Sequence, residues 1–154
     1  EPWMTDELVV VAPRGHRLTN EVVSWEKLSE ENWILREPGS STRIFFNAQL
    51  SQRLYCPKIV ATVNSFEAII GMVMNGMGLT FMTNRVLSDP FFGPRLERVR
   101  LPEQFERQLS FCRHREKYIS RDMEQLMSFC RRWVPSRLEH EARQGARNES
   151  IRYY

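Results

Sequence analysis

The order of signals between Trp33 and Met82 limits the fold more than any other feature of this chain. A short apolar run, Trp33-Ile34-Leu35, leads into REPGSSTR (36–43), where Pro38 and Gly39 break the chain and three hydroxyl residues follow in a row. Lys58 to Val63 is a second run, rich in β-branched residues. Asn64-Ser65 then opens a helical segment, with Ser65 placed to cap it and Glu67 favouring its positive end. Ile69, Ile70 and Val73 form the apolar stripe of that helix, and Gly76 supplies its stop. A third run, Leu79-Thr80-Phe81-Met82, is entered through Gly78. Strand, helix, strand, helix, strand is the pattern of a parallel α/β sheet.

The flanks extend this pattern. Leu8 to Ala12 is continuously apolar and is ended by Pro13 and Gly15. Lacking alternation, it predicts a strand covered on both faces, as in a parallel sheet. Ser24 is placed to cap a short helical turn at Trp25–Leu28. Asp89-Pro90 and Gly93-Pro94 break the chain before a strand from Leu96 to Leu101, and Leu109 to Cys112 predicts one more. Ser120 opens an amphipathic helix with Met123, Leu126, Met127, Cys130, Trp133 and Val134 on one face, and Pro135 ends it. The stretch 136–154 is polar and reads as a peripheral tail.

Composition excludes several classes. With 154 residues, 42% of them apolar and 27% charged, the chain suits one packed domain or two small lobes. No run approaches a membrane span, and residues 1–20 show no secretory signal. The net charge is only +3. The basic residues from Arg95 to Lys117 are interrupted by Glu97, Glu103, Glu106 and Glu116, which describes a solvated face better than a DNA surface. Cys56, Cys112 and Cys130 lack Cys-x-x-Cys spacing and read as reduced, mostly buried thiols of a cytoplasmic protein. His16, His114 and His140 lie far apart, and no nucleophile elbow, Walker loop or zinc spacing is present. Neither an enzyme nor a metal or cofactor site is expected. The cluster Met72, Met74, Met77 and Met82 reads as core packing rather than metal ligation.

Three stretches in this order, DELVVVAPRGHRL (6–18), NWILREPGSSTR (32–43) and TVNSFEAIIGMVMNGMGLTFM (62–82), resemble the effector-binding domain of LysR-type transcriptional regulators. The resemblance covers Asp6 to about Val134. It implies an α/β, periplasmic-binding-protein-like fold of two lobes with parallel-type sheets, the second lobe complete and the first partial. Residues 1–31 would belong to the first lobe, 32–105 to the second, and 106–134 would return a strand and helix to the first, leaving 135–154 as a C-terminal tail. Crossings near Asn32 and Phe105 would form the hinge. The implied function is effector sensing and oligomerisation for a bacterial DNA-binding regulator, with a small metabolite held in the interlobe cleft. DNA contact would be made through an N-terminal domain outside this chain, and the implied assembly is a dimer or tetramer. The Leu8–Ala12 strand, deprived of first-lobe neighbours, would be a sticky edge. A solute-binding protein of a transport system, which shares the fold, is the alternative.

In such sheets ligands sit beyond the carboxyl ends of strands, where helix N-termini converge. Exposed N–H groups and the helix dipole attract anions there. Ser40, Ser41, Thr42 and Arg43 follow one strand, and Asn64, Ser65 and Phe66 follow the next, so the expected site is a small-anion pocket built from these residues. Met77 and Gly78 are expected to shape it, since glycine lets a backbone come close. Each residue also has a plainer role. A serine or threonine cap stabilises a helix by about 1 kcal/mol with no ligand involved, and Arg43 could pair with an effector or with an acidic neighbour.

Overall fold

The computed structural model describes residues 1–53 and 55–134. These fall into two compact units, a larger one from Asp6 to Arg107 and a smaller one combining residues 1–5 with 108–134. The stretch 135–154, expected to be a tail, lies outside the described residues.

Nine principal elements run from β1 to β6. Strand β1 (Pro2–Pro13) is followed by the short helix α1 (Trp25–Leu28), β2 (Asn32–Arg36), α2 (Ser41–Ser51), β3 (Lys58–Val63) and α3 (Phe66–Met74). Then come β4 (Thr80–Thr83), β5 (Leu96–Val99) and β6 (Phe105–Ser110). A further helix, α4, spans residues 121–134.

Strands β2 and β3 are parallel, with Arg36 opposite Val63. Strand β4 joins them in the same direction through the bridge between Trp33 and Leu79, where the Ile34 N–H donates to the Leu79 carbonyl at 2.9 Å and the Leu79 N–H to the Asn32 carbonyl at 2.8 Å. The crossover grammar from Trp33 to Met82 therefore yields parallel neighbours. Strand β1 does not. It pairs antiparallel with β4 (Leu8 opposite Thr83) and with β5 (Val10 opposite Val99), and β6 also pairs with it. Its continuous apolar run reports two covered faces, which the structure has, but carries no information about strand direction.

That placement also moves the expected lobe boundary. Residues 6–31, anticipated in a first lobe, share the core of the larger unit, and the chain passes between units at 107/108, two residues from Phe105, and at 5/6 rather than near Asn32. The reason is central pairing: β1 lies between β4 and β5 and fills both faces of the sheet. Leu8, Val10 and Ala12 pack with Leu18, Trp25, Leu28, Trp33, Leu35, Phe46 and Phe81 on one face. Val9 and Val11 pack with Ile34, Ile69, Ile70 and Val73 on the other. The strand is not the sticky edge anticipated. Among the described residues that character belongs to β3, which pairs with β2 and leaves Ile59 and Val60 exposed.

Helix α3 follows its sequence signals closely. The Ser65 Oγ accepts the Ala68 N–H at 3.2 Å. At the other end Gly76 adopts φ 75°, a left-handed conformation. The Met77 N–H donates to the Met72 carbonyl at 3.1 Å and the Gly76 N–H to the Val73 carbonyl at 2.9 Å. That pair of bonds is a Schellman stop. In the smaller unit the Trp3 indole N–H donates to the Cys130 carbonyl at 3.1 Å, and Arg131 holds the Glu1 carboxylate at 2.7 and 2.8 Å. On α4 the half-buried residues are Met123, Met127, Ser128, Cys130 and Val134, whereas Leu126 and Trp133, expected on the apolar face, are exposed. Cys56 and Cys112 are exposed too, contrary to the expectation of mostly buried thiols.

One polar bridge crosses the core of the larger unit. The Trp33 indole N–H donates to the Tyr55 hydroxyl at 2.9 Å, and that hydroxyl donates to the Leu28 carbonyl at 2.7 Å. Burial pushes the Tyr55 phenol up to about 12, against the pull of the Trp33 hydrogen bond. Between pH 10 and about 12 the folded protein thus keeps a proton that the unfolded chain releases. This contribution to stability is fully present below pH 10 and lost as pH rises through about 12. Tyr55→Phe would leave the buried Trp33 donor and Leu28 acceptor without their partner. It is expected to lower unfolding free energy by about 1–3 kcal/mol and to flatten that alkaline loss, as measured by denaturant titrations at pH 8 and pH 11.

Candidate functional site

Strands β2, β3 and β4 run in one direction, so the chain leaves each of them at the same edge of the sheet. Beyond β2 the stretch Glu37–Ser40 turns into α2. The Ser40 Oγ accepts the Arg43 N–H at 3.1 Å, making Ser40 the N-cap. Ser41 is exposed and Thr42 half-buried in the first turn. The first N–H groups of any α-helix have no carbonyl partner within it. No acidic residue lies in this first turn, so its positive end has no carboxylate of its own.

Helix α3, starting at the same edge, differs. Its cap, Ser65, donates its hydroxyl to Glu67 Oε2 at 3.0 Å while accepting the Ala68 N–H. Glu67 has its pKa lowered by its own backbone N–H and then by Ser65. This helix end therefore carries a built-in anion. Phe66 packs against the apolar cluster around Ile69 and Ile70, and Asn64 is exposed. The plainer capping role describes Ser65 in this structure.

Charge at the α2 end comes from residues that sequence reasoning missed. Asp6, at the start of β1's run in the larger unit, has a side chain only 3% exposed. The Thr83 hydroxyl, at the end of β4, donates to Asp6 Oδ1 at 2.7 Å. Arg107 Nε donates to Asp6 Oδ2 at 2.8 Å, and Nη2 approaches the same oxygen at 2.8 Å. Arg85 Nε stands 3.8 Å from Oδ1. The third guanidinium nitrogen, Arg107 Nη1, donates to the Thr42 Oγ1 at 3.2 Å. A buried carboxylate thus orients an arginine whose free corner touches the first turn of α2.

Arg43 is occupied elsewhere. Its Nε donates to Asn47 Oδ1 at 3.0 Å and its Nη1 to the Arg36 carbonyl at 3.2 Å, folding it along its own helix. Arg36 in turn chelates Glu37 at 2.9 and 2.8 Å. That contact, with Glu37's own backbone hydrogen bond, holds the Glu37 carboxyl down at about 2.

Met77 and Gly78 do not belong to this edge. They line a cavity of about 250 Å³ with Pro13, His16, Glu30, Glu31, Asn32 and Lys58. Asn32 and Lys58 are the first residues of β2 and β3, so this cavity opens at the opposite end of the strands. A Cβ on Gly78 would lie 2.5 Å from the Asn32 carbonyl oxygen. The close approach anticipated for this glycine is real, but it is made to the backbone of β2. Residues that precede a strand stand at its N-terminal edge, a signal in the sequence that would have separated Met77 and Gly78 from the helix starts. Among the described residues no cluster of three or more His, Cys, Asp or Glu could hold a metal. No described helix is long and apolar enough to cross a membrane.

A two-unit α/β domain with helix N-termini gathered at one sheet edge is the architecture of the periplasmic-binding-protein-like class. Within that class, residues 1–135 match the LysR substrate binding domain, and the chain belongs to that family. It is 33% identical over 131 residues to the HTH-type transcriptional regulator YeiE of Escherichia coli K12, spanning 84% of this chain and 45% of that protein. Over 88 residues it is 38% identical to the regulator CysL of Bacillus subtilis, covering 56% of this chain and 29% of the relative. The chain thus spans less than half the length of these curated relatives. Among solved structures it resembles the regulatory domain of Synechocystis PCC6803 CcmR in complex with 2-PG, with TM-score 0.73, 21% identity, and 85% of this chain and 64% of that one covered. The effector binding domain of QuiR in complex with shikimate gives TM-score 0.67 at 20% identity, over 86% and 63% of the two chains. These two likenesses establish the fold.

Proposed function

We propose that this chain is the effector-sensing part of a LysR-type transcriptional regulator and that its effector is a small anion held at the first turn of α2. The observation that carries the reading is the makeup of that turn. Ser40, Ser41 and Thr42 present hydroxyls beside N–H groups at a positive helix end without an acidic residue, and the Arg107 guanidinium reaches the Thr42 hydroxyl. Neutral hydrogen bonds of this kind contribute about 1 kcal/mol each, and those to a charged group about 1.5–3 kcal/mol. Asn64, Ser65 and Phe66 flank the site from the neighbouring helix start, with Glu67 setting a negative border that favours compact anions.

The relatives that carry this domain are named as HTH-type transcriptional regulators. By extension, this domain acts within a DNA-binding protein, with DNA contacted by a part outside the chain. Two of the related structures are complexes with small molecules, 2-PG and shikimate, which supports a small-molecule effector here. Self-association as a dimer or tetramer belongs to the same reading, and the exposed Ile59 and Val60 on β3 offer an apolar edge for it.

The test is a thermal-shift and calorimetric screen of the full-length protein against inorganic anions, small carboxylates and amino acids. At least one anion is expected to stabilise the protein by about 2.7 kcal/mol at a hundred times its Kd. Stabilisation by neutral compounds alone would contradict the anion site.

A further inference from the structure

The chain passes between its two units at 5/6 and 107/108, and the residues immediately inside those crossings are Asp6 and Arg107. They are 101 positions apart, yet Arg107 Nε and Nη2 both reach Asp6 Oδ2 at 2.8 Å. The same guanidinium touches Thr42 through Nη1. Neither residue belongs to the hydroxyl run or the apolar core.

We propose that Arg107 is the positioning residue that ties occupancy of the α2 site to the two crossing segments, and that Asp6 holds it in that role. This inference rests on the anion-site reading above. Arg107 Nη1 donates to the Thr42 hydroxyl. An anion accepting from the Ser41 and Thr42 backbone would compete for that donor and draw the guanidinium toward α2. Asp6 and its Thr83 hydrogen bond keep the other two nitrogens fixed, so the pull is delivered to the start of β1's buried run and to β6. The rigid fork of arginine is essential, since one end serves Asp6 while the other serves the site. Lysine, a single ammonium, satisfies the buried carboxylate but cannot do both. Arg43, folded onto Arg36 and Asn47, has no comparable link to either crossing.

The experiment uses the full-length protein with inorganic sulfate, inorganic phosphate and shikimate as probes, carrying forward the tightest binder. Variants are Arg107→Lys, Arg43→Met and the double replacement Asp6→Asn with Arg107→Met, which removes both charges together so that no unpaired carboxylate unfolds the protein. Arg107→Lys is expected to weaken the probe about tenfold, the equivalent of one good hydrogen bond, with its unfolding midpoint near that of the parent. The double variant is expected to lose at least as much affinity, and Arg43→Met less than about threefold. Hydrogen exchange supplies the readout that a merely structural role would leave unmoved. The probe should slow exchange of amides in residues 4–8 and 105–109 of the parent and of Arg43→Met, but not of Arg107→Lys. If Arg43→Met loses the affinity while Arg107→Lys and the double variant bind like the parent, the inference is overturned and the anion site stands. Binding lost in Arg107→Lys with the exchange pattern unchanged overturns the coupling. If none of the three probes binds the parent, the anion site fails and this inference fails with it.

Discussion

Arg107→Met is expected to lower the unfolding free energy of the larger unit by about 3–5 kcal/mol, the cost of leaving a buried carboxylate without its partner. Asp6 is 4% exposed, so solvent cannot replace the guanidinium. The Thr83 hydroxyl and the more distant Arg85 remain near Asp6, which places the expected loss toward the lower end of that range. For a chain of this size the change corresponds to roughly 6–20 °C in unfolding temperature. Replacing Asp6 by Asn in the same molecule should recover most of the loss, because a neutral amide can still accept the Thr83 hydrogen bond. Denaturant titration followed by the fluorescence of Trp25 and Trp33, both in the core of the larger unit, would measure the cycle. Equal destabilisation in the single and double variants would mean that Arg107 acts by packing rather than by compensating the charge.

Ile70→Ala should cost about 2–5 kcal/mol, from lost burial and from the cavity left behind. Ile70 is fully buried on α3 and belongs to the core cluster that includes Val9, Val11 and Ile34 of the sheet. Two β-strands wall the site on one side, so the surroundings have little freedom to collapse. The polar groups at the helix starts are untouched by this change. Affinity for an anion measured below the lowered unfolding temperature should therefore stay within about twofold of the parent. A Tm shift under about 2 °C would contradict the packing described for α3.

What could be read from the residues follows what each signal physically encodes. The Ser65 cap, the Gly76 stop and the stripe Ile69, Ile70 and Val73 are local effects of a few neighbouring residues, and all are found in the structure. The three parallel strands after Asn32 were legible because a helix between two strands permits little else. Strand β1 was legible as a buried strand but not as an antiparallel one. Its five apolar residues tell only that both faces are covered, so its place between β4 and β5, and the membership of residues 6–31 in the larger unit, stayed hidden. Asp6 and Arg107 were invisible as a pair for a different reason. A single ion pair across 101 residues leaves no periodicity, and each residue taken alone reads as ordinary surface charge. Gly78 was read correctly as a close-approach glycine and assigned to the wrong neighbour, since the residue it approaches, Asn32, lies 46 positions upstream. The side chains of the hydroxyl run were the easiest to notice, and they divide unevenly. Thr42 meets Arg107, whereas Ser65 is taken up by its own helix and Glu67.

The central claim is that the α2 hydroxyl run contacts an effector rather than merely starting a helix. Thr42→Ala in the full-length protein separates the two, because Ser40 still caps α2 through the Arg43 N–H. Calorimetric titration with the best anion from the screen, run alongside thermal unfolding, should show affinity about tenfold weaker, one decade being 1.4 kcal/mol, with an unfolding midpoint close to that of the parent. Unchanged affinity together with a loss of stability as large as that of Ile70→Ala would show that the hydroxyls only cap the helix.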